Sequence, residues 1–144
     1  MRKEIWFDMD GTIADLYGVE GWKDDLDNER VRPYKEARPL VNMQVLARVL
    51  NRLAREGYEI GVVSWTAKNG TAEYNERVAE VKRGWIKRHL ASVRFERIDI
   101  IEYSTPKQIG REGILFDDEE QNRKAWRGQA YDVNDIIGML RGIE

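Results

Sequence analysis

Two carboxylates, Asp8 and Asp10, stand two residues apart in Asp8-Met9-Asp10-Gly11-Thr12, directly after the apolar run Ile5-Trp6-Phe7. A second acidic pair, Asp117-Asp118, follows the apolar run Gly113-Ile114-Leu115-Phe116. Brought together, these groups repel one another by several kcal/mol at low effective dielectric. A cation must compensate, and a hard divalent ion with oxygen ligands, Mg²⁺, is the natural choice. Lys107 and the basic residues Arg30, Arg32, Lys35 and Arg38 are other sources of positive charge. Carboxylates beside a divalent ion point to phosphoryl chemistry. One carboxylate attacks phosphorus, the metal neutralises the approaching anions, and a second carboxylate protonates the leaving group and then activates water. Backbone N–H groups of the Gly11 turn, the Ser64 hydroxyl and the Lys107 ammonium could hold the phosphoryl oxygens.

The elements that must position these residues follow from the hydrophobic pattern. Residues 5–7 read as a buried strand ending in a glycine turn. Residues 13–38 are polar, with acidic residues first and basic residues after. A helix is expected over about 40–56, with Pro39 suited to its first turn. Its apolar face is Leu46, Val49, Leu50 and Leu53, and Gly57 is its stop. A second strand over 58–63 ends at Ser64. A helix over about 71–90 carries Tyr74, Val78, Val81, Trp85 and Leu90. Ile98, Ile100 and Ile101 mark a third strand, 113–116 a fourth and 130–133 a fifth. Short helices are expected over about 119–126 and 134–141. Strands alternating with helices predict an α/β fold, a parallel sheet of about five strands with helices on both faces. In such sheets ligands bind beyond the carboxyl ends of the strands, which is where Asp8, Asp10, Ser64, Asp117 and Asp118 fall.

Composition narrows the chemistry further. The chain has 144 residues, 42% hydrophobic and 35% charged, with no cysteine, one histidine and a formal charge of −2. That length suits a single domain, residues 1–144, with 13–38 as a flap or reduced cap. Without cysteine there is no thiolate metal site, disulfide scaffold or cysteine nucleophile. With only His89, a His-rich zinc site is excluded. The charge balance argues against a broadly basic nucleic-acid surface, though not against a local groove. No apolar run approaches the ~20 residues of a membrane helix. Met1-Arg2-Lys3-Glu4 leads straight into the first strand, so no signal peptide is expected. A soluble, cytoplasmic protein follows as the expectation.

These residues also carry a family resemblance. Asp8-Met9-Asp10-Gly11-Thr12 resembles motif I of the haloacid dehalogenase-like (HAD-like) phosphatases. Val62-Val63-Ser64 resembles motif II, Lys107 the motif III lysine, and Ile114-Leu115-Phe116-Asp117-Asp118 motif IV in its double-aspartate form. The four occur in the family's order. The resemblance implies a three-layer Rossmann-like domain with strand order 3-2-1-4-5 and no large cap. It implies Asp8 as nucleophile and Mg²⁺ ligand. Asp10 would be the general acid/base, with its carbonyl on Mg²⁺. Met9, Ser64, Trp65 and Lys107 would be phosphate-binding positions. Asp117 would be a direct Mg²⁺ ligand, and Asp118 would act through water or orient its neighbours. Lys68 and Lys82 are rivals of Lys107, but both lie close to motif II.

Each reading has a plainer competitor. Asp8 and Asp10 could cap a turn, Ser64 could cap a helix, and Asp117–Glu120 could be an acidic first turn. Lys107 could be a surface lysine. Lys82, Arg83, Lys87 and Arg88 read as a solvated helix face, and His89 as a solvated residue of the last turn. Trp6, Trp85 and Trp126 read as core. Trp65, at a strand end, should face the cleft, and Trp22 and Tyr34 either anchor the flap or stack on a base. The short insertion leaves the site open to a phosphorylated small molecule or a phosphorylated polymer end. A resemblance to 5′-nucleotidases of the deoxyribonucleotidase type makes nucleotides a candidate class. The phosphatase half of polynucleotide kinase–phosphatases is a second relative. The alternatives are a phosphate- or nucleotide-binding module without turnover, and a phosphotransferase. Oligomeric state is left open.

Overall fold

The structure is a computed structural model and describes residues 3–143. Met1 and Arg2, part of the basis for expecting no signal peptide, lie outside the described residues. Five parallel strands form the central sheet: β1 (Glu4–Phe7), β4 (Glu59–Trp65), β5 (Arg97–Ile101), β6 (Ile114–Phe116) and β7 (Gln129–Tyr131). Their order across the sheet is β5-β4-β1-β6-β7, the 3-2-1-4-5 order expected. Side chains alternate between the two faces, as the pleat requires. Ile5, Phe7, Val62 and Phe116 join Leu46, Leu50 and Leu53 of α3 (Met43–Arg55), Trp85 and Ile86 of α4 (Ala72–His89), and Leu140 of α6 (Ile136–Arg141). Trp6, Val63 and Leu115 point the other way and pack with Trp126, just after α5 (Glu120–Ala125). Helical layers on both faces are therefore present, without a large cap.

The start of one helix differs from expectation. Helix α3 starts later than Pro39, because the Asn42 side chain accepts from the Val45 N–H and caps it. Pro39 instead belongs to β3 (Arg38–Pro39), paired antiparallel with β2 (Ala14–Asp15). The end of α3 matches expectation. Gly57 has φ +98°, Tyr58 N donates to Leu53 O and Gly57 N to Ala54 O, the bonds of a Schellman stop.

The polar segment 13–38 is folded. Between β2 and β3 it forms a 3₁₀ turn (Leu16–Gly18), α1 (Trp22–Asp27) and α2 (Arg32–Glu36). Leu16 and Tyr34 are buried against Tyr74 and Val78 of α4. The Tyr74 hydroxyl donates to Arg30 O at 2.8 Å, and Glu29 accepts from both the backbone N–H and the hydroxyl of Thr71, the cap of α4. Asp25, buried in the insertion, pairs with Arg30 and Arg32. The insertion is thus pinned along α4 as a wall. Among the described residues no helix is long and apolar enough to cross a membrane.

Candidate active site

Strand register sets the level at which the acidic groups emerge. Phe7 pairs with both Val62 and Phe116, so the residues that follow, Asp8 and Asp117, leave the sheet side by side. The Asp8 N–H donates to Phe116 O at 3.0 Å and continues the ladder by one bond. Beyond it the chain turns tightly, with Thr12, Ile13 and Ala14 all donating to Met9 O. The Met9 side chain is buried in the core. Met9 is not among the residues that line the cleft.

Asp8 is buried and held from two sides. Lys107 Nζ donates to its Oδ1 at 3.0 Å, and the Thr12 hydroxyl lies 3.2 Å from its Oδ2. Lys107 is itself buried and also donates to Asp117 Oδ2 at 2.8 Å. Burial opposes its charge, but Asp8 and Asp117 more than offset that and hold its pKa above the ordinary value. Lys107 is therefore not a surface lysine. Asp117 is fully buried and its oxygens are engaged, since Asn122 also donates to Oδ2 and the Glu119 N–H to Oδ1. Asp118 is less buried and stands against the glycine turn. Gly11 has φ +81°, and a Cβ there would collide with the Asp118 carboxylate. Both the turn and that approach require glycine.

Asp8, Asp117 and Asp118 each offer an oxygen, all within 4.8 Å of one another. Among the described residues, three formal negative charges are paired with the one Lys107 ammonium, an excess of two. Burial and the neighbouring negative charges both raise the pKa values of Asp117 and Asp118. Burial, followed by the charge of Asp8, pushes Asp117 up to about 6. Burial and then Asp8 push Asp118 up to about 7. A hard-oxygen donor set with this excess charge fits a divalent cation. Asp10, two residues from Asp8, has its carboxylate elsewhere. Its Oδ2 accepts from Lys82 Nζ at 2.8 Å. Burial raises the Asp10 pKa, and Lys82 opposes that rise.

Lys82 is the main correction to the sequence reading. It does not lie on a solvated helix face; it is 1% exposed. The signal was its spacing, for Tyr74, Val78, Lys82 and Ile86 recur every four residues and form one buried stripe of α4. Ser64 is buried too, and its Oγ is bound to Lys82 at 2.8 Å.

The cleft above these groups holds about 270 Å³ and is lined by Asp8, Asp10, Ser64, Trp65 and Lys107 among others. Aromatic residues form its walls. Tyr17 and Trp22, from the insertion, meet edge to face at 5.0 Å. Trp65 meets Tyr103 in the same way at 5.1 Å and lies over the Lys107 ammonium at 4.9 Å. The Trp65 indole N–H is tied to Thr105 O, which holds the ring at the cleft. Thr66, also in the lining, has a buried Oγ1 without a hydrogen-bond partner. Tyr34 both lines the cleft and anchors the insertion. His89 packs on Trp85, far along α4 from these groups in sequence.

No family model matches the chain, and no curated protein matches it. Among solved structures, one that shares its fold is a D,D-heptose 1,7-bisphosphate phosphatase from Burkholderia thailandensis. The TM-score is 0.53 at 18% sequence identity, over 86% of this chain and 71% of that chain. At that identity the likeness speaks to the fold.

Proposed function

We propose that the protein is a metal-dependent phosphatase that hydrolyses a phosphate monoester through an aspartyl-phosphate on Asp8. The carrying observation is the separation of two aspartates on one turn. Asp8 is held by Lys107 in a carboxylate cluster with excess negative charge, while Asp10 is held by Lys82 across the same cleft. The fold shared with a bisphosphate phosphatase supports the reading.

Asp8, Asp117 and the Asp10 carbonyl would hold Mg²⁺, with Asp118 acting through water or orienting its neighbours. The ion would neutralise the phosphate and the carboxylates around it. A carboxylate oxygen of Asp8 attacks phosphorus in line with the ester oxygen. As that bond breaks, Asp10 gives its proton to the departing alkoxide. Asp10 then removes a proton from water, which attacks phosphorus and releases phosphate and Asp8. Lys107 offsets charge on Asp8, and Ser64 with the N–H groups at Met9 and Trp65 meets the phosphoryl oxygens. Because Asp10 must be protonated while Asp8 is ionised, a pH optimum at or below neutral follows.

The two aromatic pairs favour a flat group beyond the phosphate, as in a nucleotide or a polynucleotide end. The test is a panel of nucleoside monophosphates, 3′- and 5′-phosphorylated oligonucleotides and sugar phosphates, assayed with Mg²⁺ or EDTA, using wild type and Asp8→Asn. Wild-type turnover that needs Mg²⁺ and vanishes in Asp8→Asn is expected. Full activity in Asp8→Asn, or tight nucleotide binding without hydrolysis, would sink the reading.

A further inference from the structure

A lysine ammonium as buried as Lys82 is strongly disfavoured unless its donors are met. Its three N–H bonds have three acceptors: Asp10 Oδ2 at 2.8 Å, Ser64 Oγ at 2.8 Å and Trp65 O at 2.7 Å. The ring of Tyr34 lies 5.0 Å from the same nitrogen and closes the remaining side. The lysine therefore joins the β1 turn, through Asp10, to the end of β4, through Ser64 and Trp65.

Hydrogen-bond accounting gives these contacts a direction. An ammonium can only donate. Ser64 Oγ must accept from Lys82, so the serine hydrogen is free to point elsewhere, and Ser64 lines the cleft. Asp10 Oδ2 is likewise taken up by Lys82, which leaves Oδ1 as the oxygen that can carry a proton towards a leaving group. The two buried lysines also divide the aspartates of the turn, Lys107 taking Asp8 and Lys82 taking Asp10.

We propose that Lys82 is a positioning residue, which fixes Ser64 as a hydrogen-bond donor to the substrate phosphate and presents a single oxygen of Asp10 to the leaving group. The proposal rests on the phosphatase reading of the cleft. A purely structural lysine would anchor α4 to the sheet and affect all substrates alike. A positioning lysine acts on leaving-group protonation and on phosphate affinity.

The test compares wild type with Lys82→Met on an aryl phosphate, which departs without help, and an alkyl phosphate, which needs a proton. Inorganic phosphate affinity is measured on both proteins by calorimetry. Expected is a loss of kcat on the alkyl ester greater by roughly tenfold or more than on the aryl ester, with weaker phosphate binding. Equal losses on both esters with unchanged phosphate affinity would overturn the proposal. A wild type inert towards both esters, whose phosphate affinity nevertheless falls in Lys82→Met, supports the placement of Ser64 by Lys82 and refutes the phosphatase reading instead. Should Lys82→Met not fold, NMR of ¹⁵N-lysine-labelled protein decides. A Lys82 ammonium signal protected from solvent exchange, moved by Ser64→Ala while that of Lys107 stays, supports the proposal. A rapidly exchanging Lys82 ammonium overturns it.

Discussion

Mg²⁺ should stabilise this protein far more at pH 8 than at pH 5. The reason is the cluster of Asp8, Asp117 and Asp118, which among the described residues is paired with the one ammonium of Lys107. Asp117 is pushed up to about 6 and Asp118 to about 7, from an ordinary 3.8. A carboxyl with a folded pKa above its unfolded value keeps its proton longer when folded. Its contribution to stability is complete below pH ~4 and is lost as pH rises through about 7. At ~1.4 kcal/mol per unit, the Asp118 shift alone corresponds to roughly 4 kcal/mol. The groups share one repulsion, so the shifts do not add, and partial solvent access to Asp118 reduces the net effect to about 2–3 kcal/mol.

Other groups act differently over this range. Asp25 and Glu29 have lowered pKa values, from their bonds to Arg32 and to Thr71 respectively. Their contribution is present above the ordinary carboxylate range and is constant from pH 5 to 8. His89 is lowered by burial and by Arg88, so its contribution grows as pH rises to about 6.5, and His89→Gln serves as a control. A divalent ion at a hundred times its Kd contributes about 2.7 kcal/mol, or roughly 5–10 °C for a domain of this size. Thermal unfolding by circular dichroism, at pH 5 and pH 8, with EDTA or MgCl₂, measures this. The EDTA form should melt lower at pH 8 than at pH 5. Mg²⁺ should restore the difference at pH 8 and act weakly at pH 5, and Asp118→Asn should remove both effects. A melting temperature indifferent to Mg²⁺ at pH 8 would refute the electrostatic reasoning and the metal site with it.

Gly11→Ala places a side chain at φ +81° against the Asp118 carboxylate. It should lower stability by about 1–2 kcal/mol in urea titrations with EDTA and weaken Mg²⁺ binding further. Trp65→Ala removes an aromatic wall of the cleft and should raise KM roughly tenfold for a nucleotide while changing KM little for an alkyl phosphate. A parallel rise for both would assign Trp65 to the phosphate instead. Tyr74→Phe deletes the bond to Arg30 O that pins the insertion. It should cost about 0.5–1.5 kcal/mol and raise KM with kcat preserved, as steady-state kinetics and denaturant titration would show.

The strands were legible because each is a short apolar run closed by a turn signal, and α3 and α4 because they are long enough to show a helical stripe; the order of the strands followed only from the family resemblance. The positions of Asp8, Ser64 and Asp117 followed from the same signals, since each ends such a run. The segment 13–38 was not legible beyond its polarity. Its helices α1 and α2 span Trp22–Asp27 and Arg32–Glu36, too few turns for periodicity to show, and they are held by Tyr34, Tyr74 and Glu29 packing on α4. Pro39 could open a helix by its local chemistry; pairing with Ala14 placed it in a strand. Lys82 stands beside Arg83 in a basic run and reads as solvated until three acceptors converge on it. What the residues alone determined is the set of carboxylates and the strand ends that carry them, because those signals are local. Tertiary structure decided which cation serves which aspartate, Lys107 for Asp8 and Lys82 for Asp10, because these pairs are 99 and 72 residues apart in sequence and only the packing of helix and loop on the sheet brings them together.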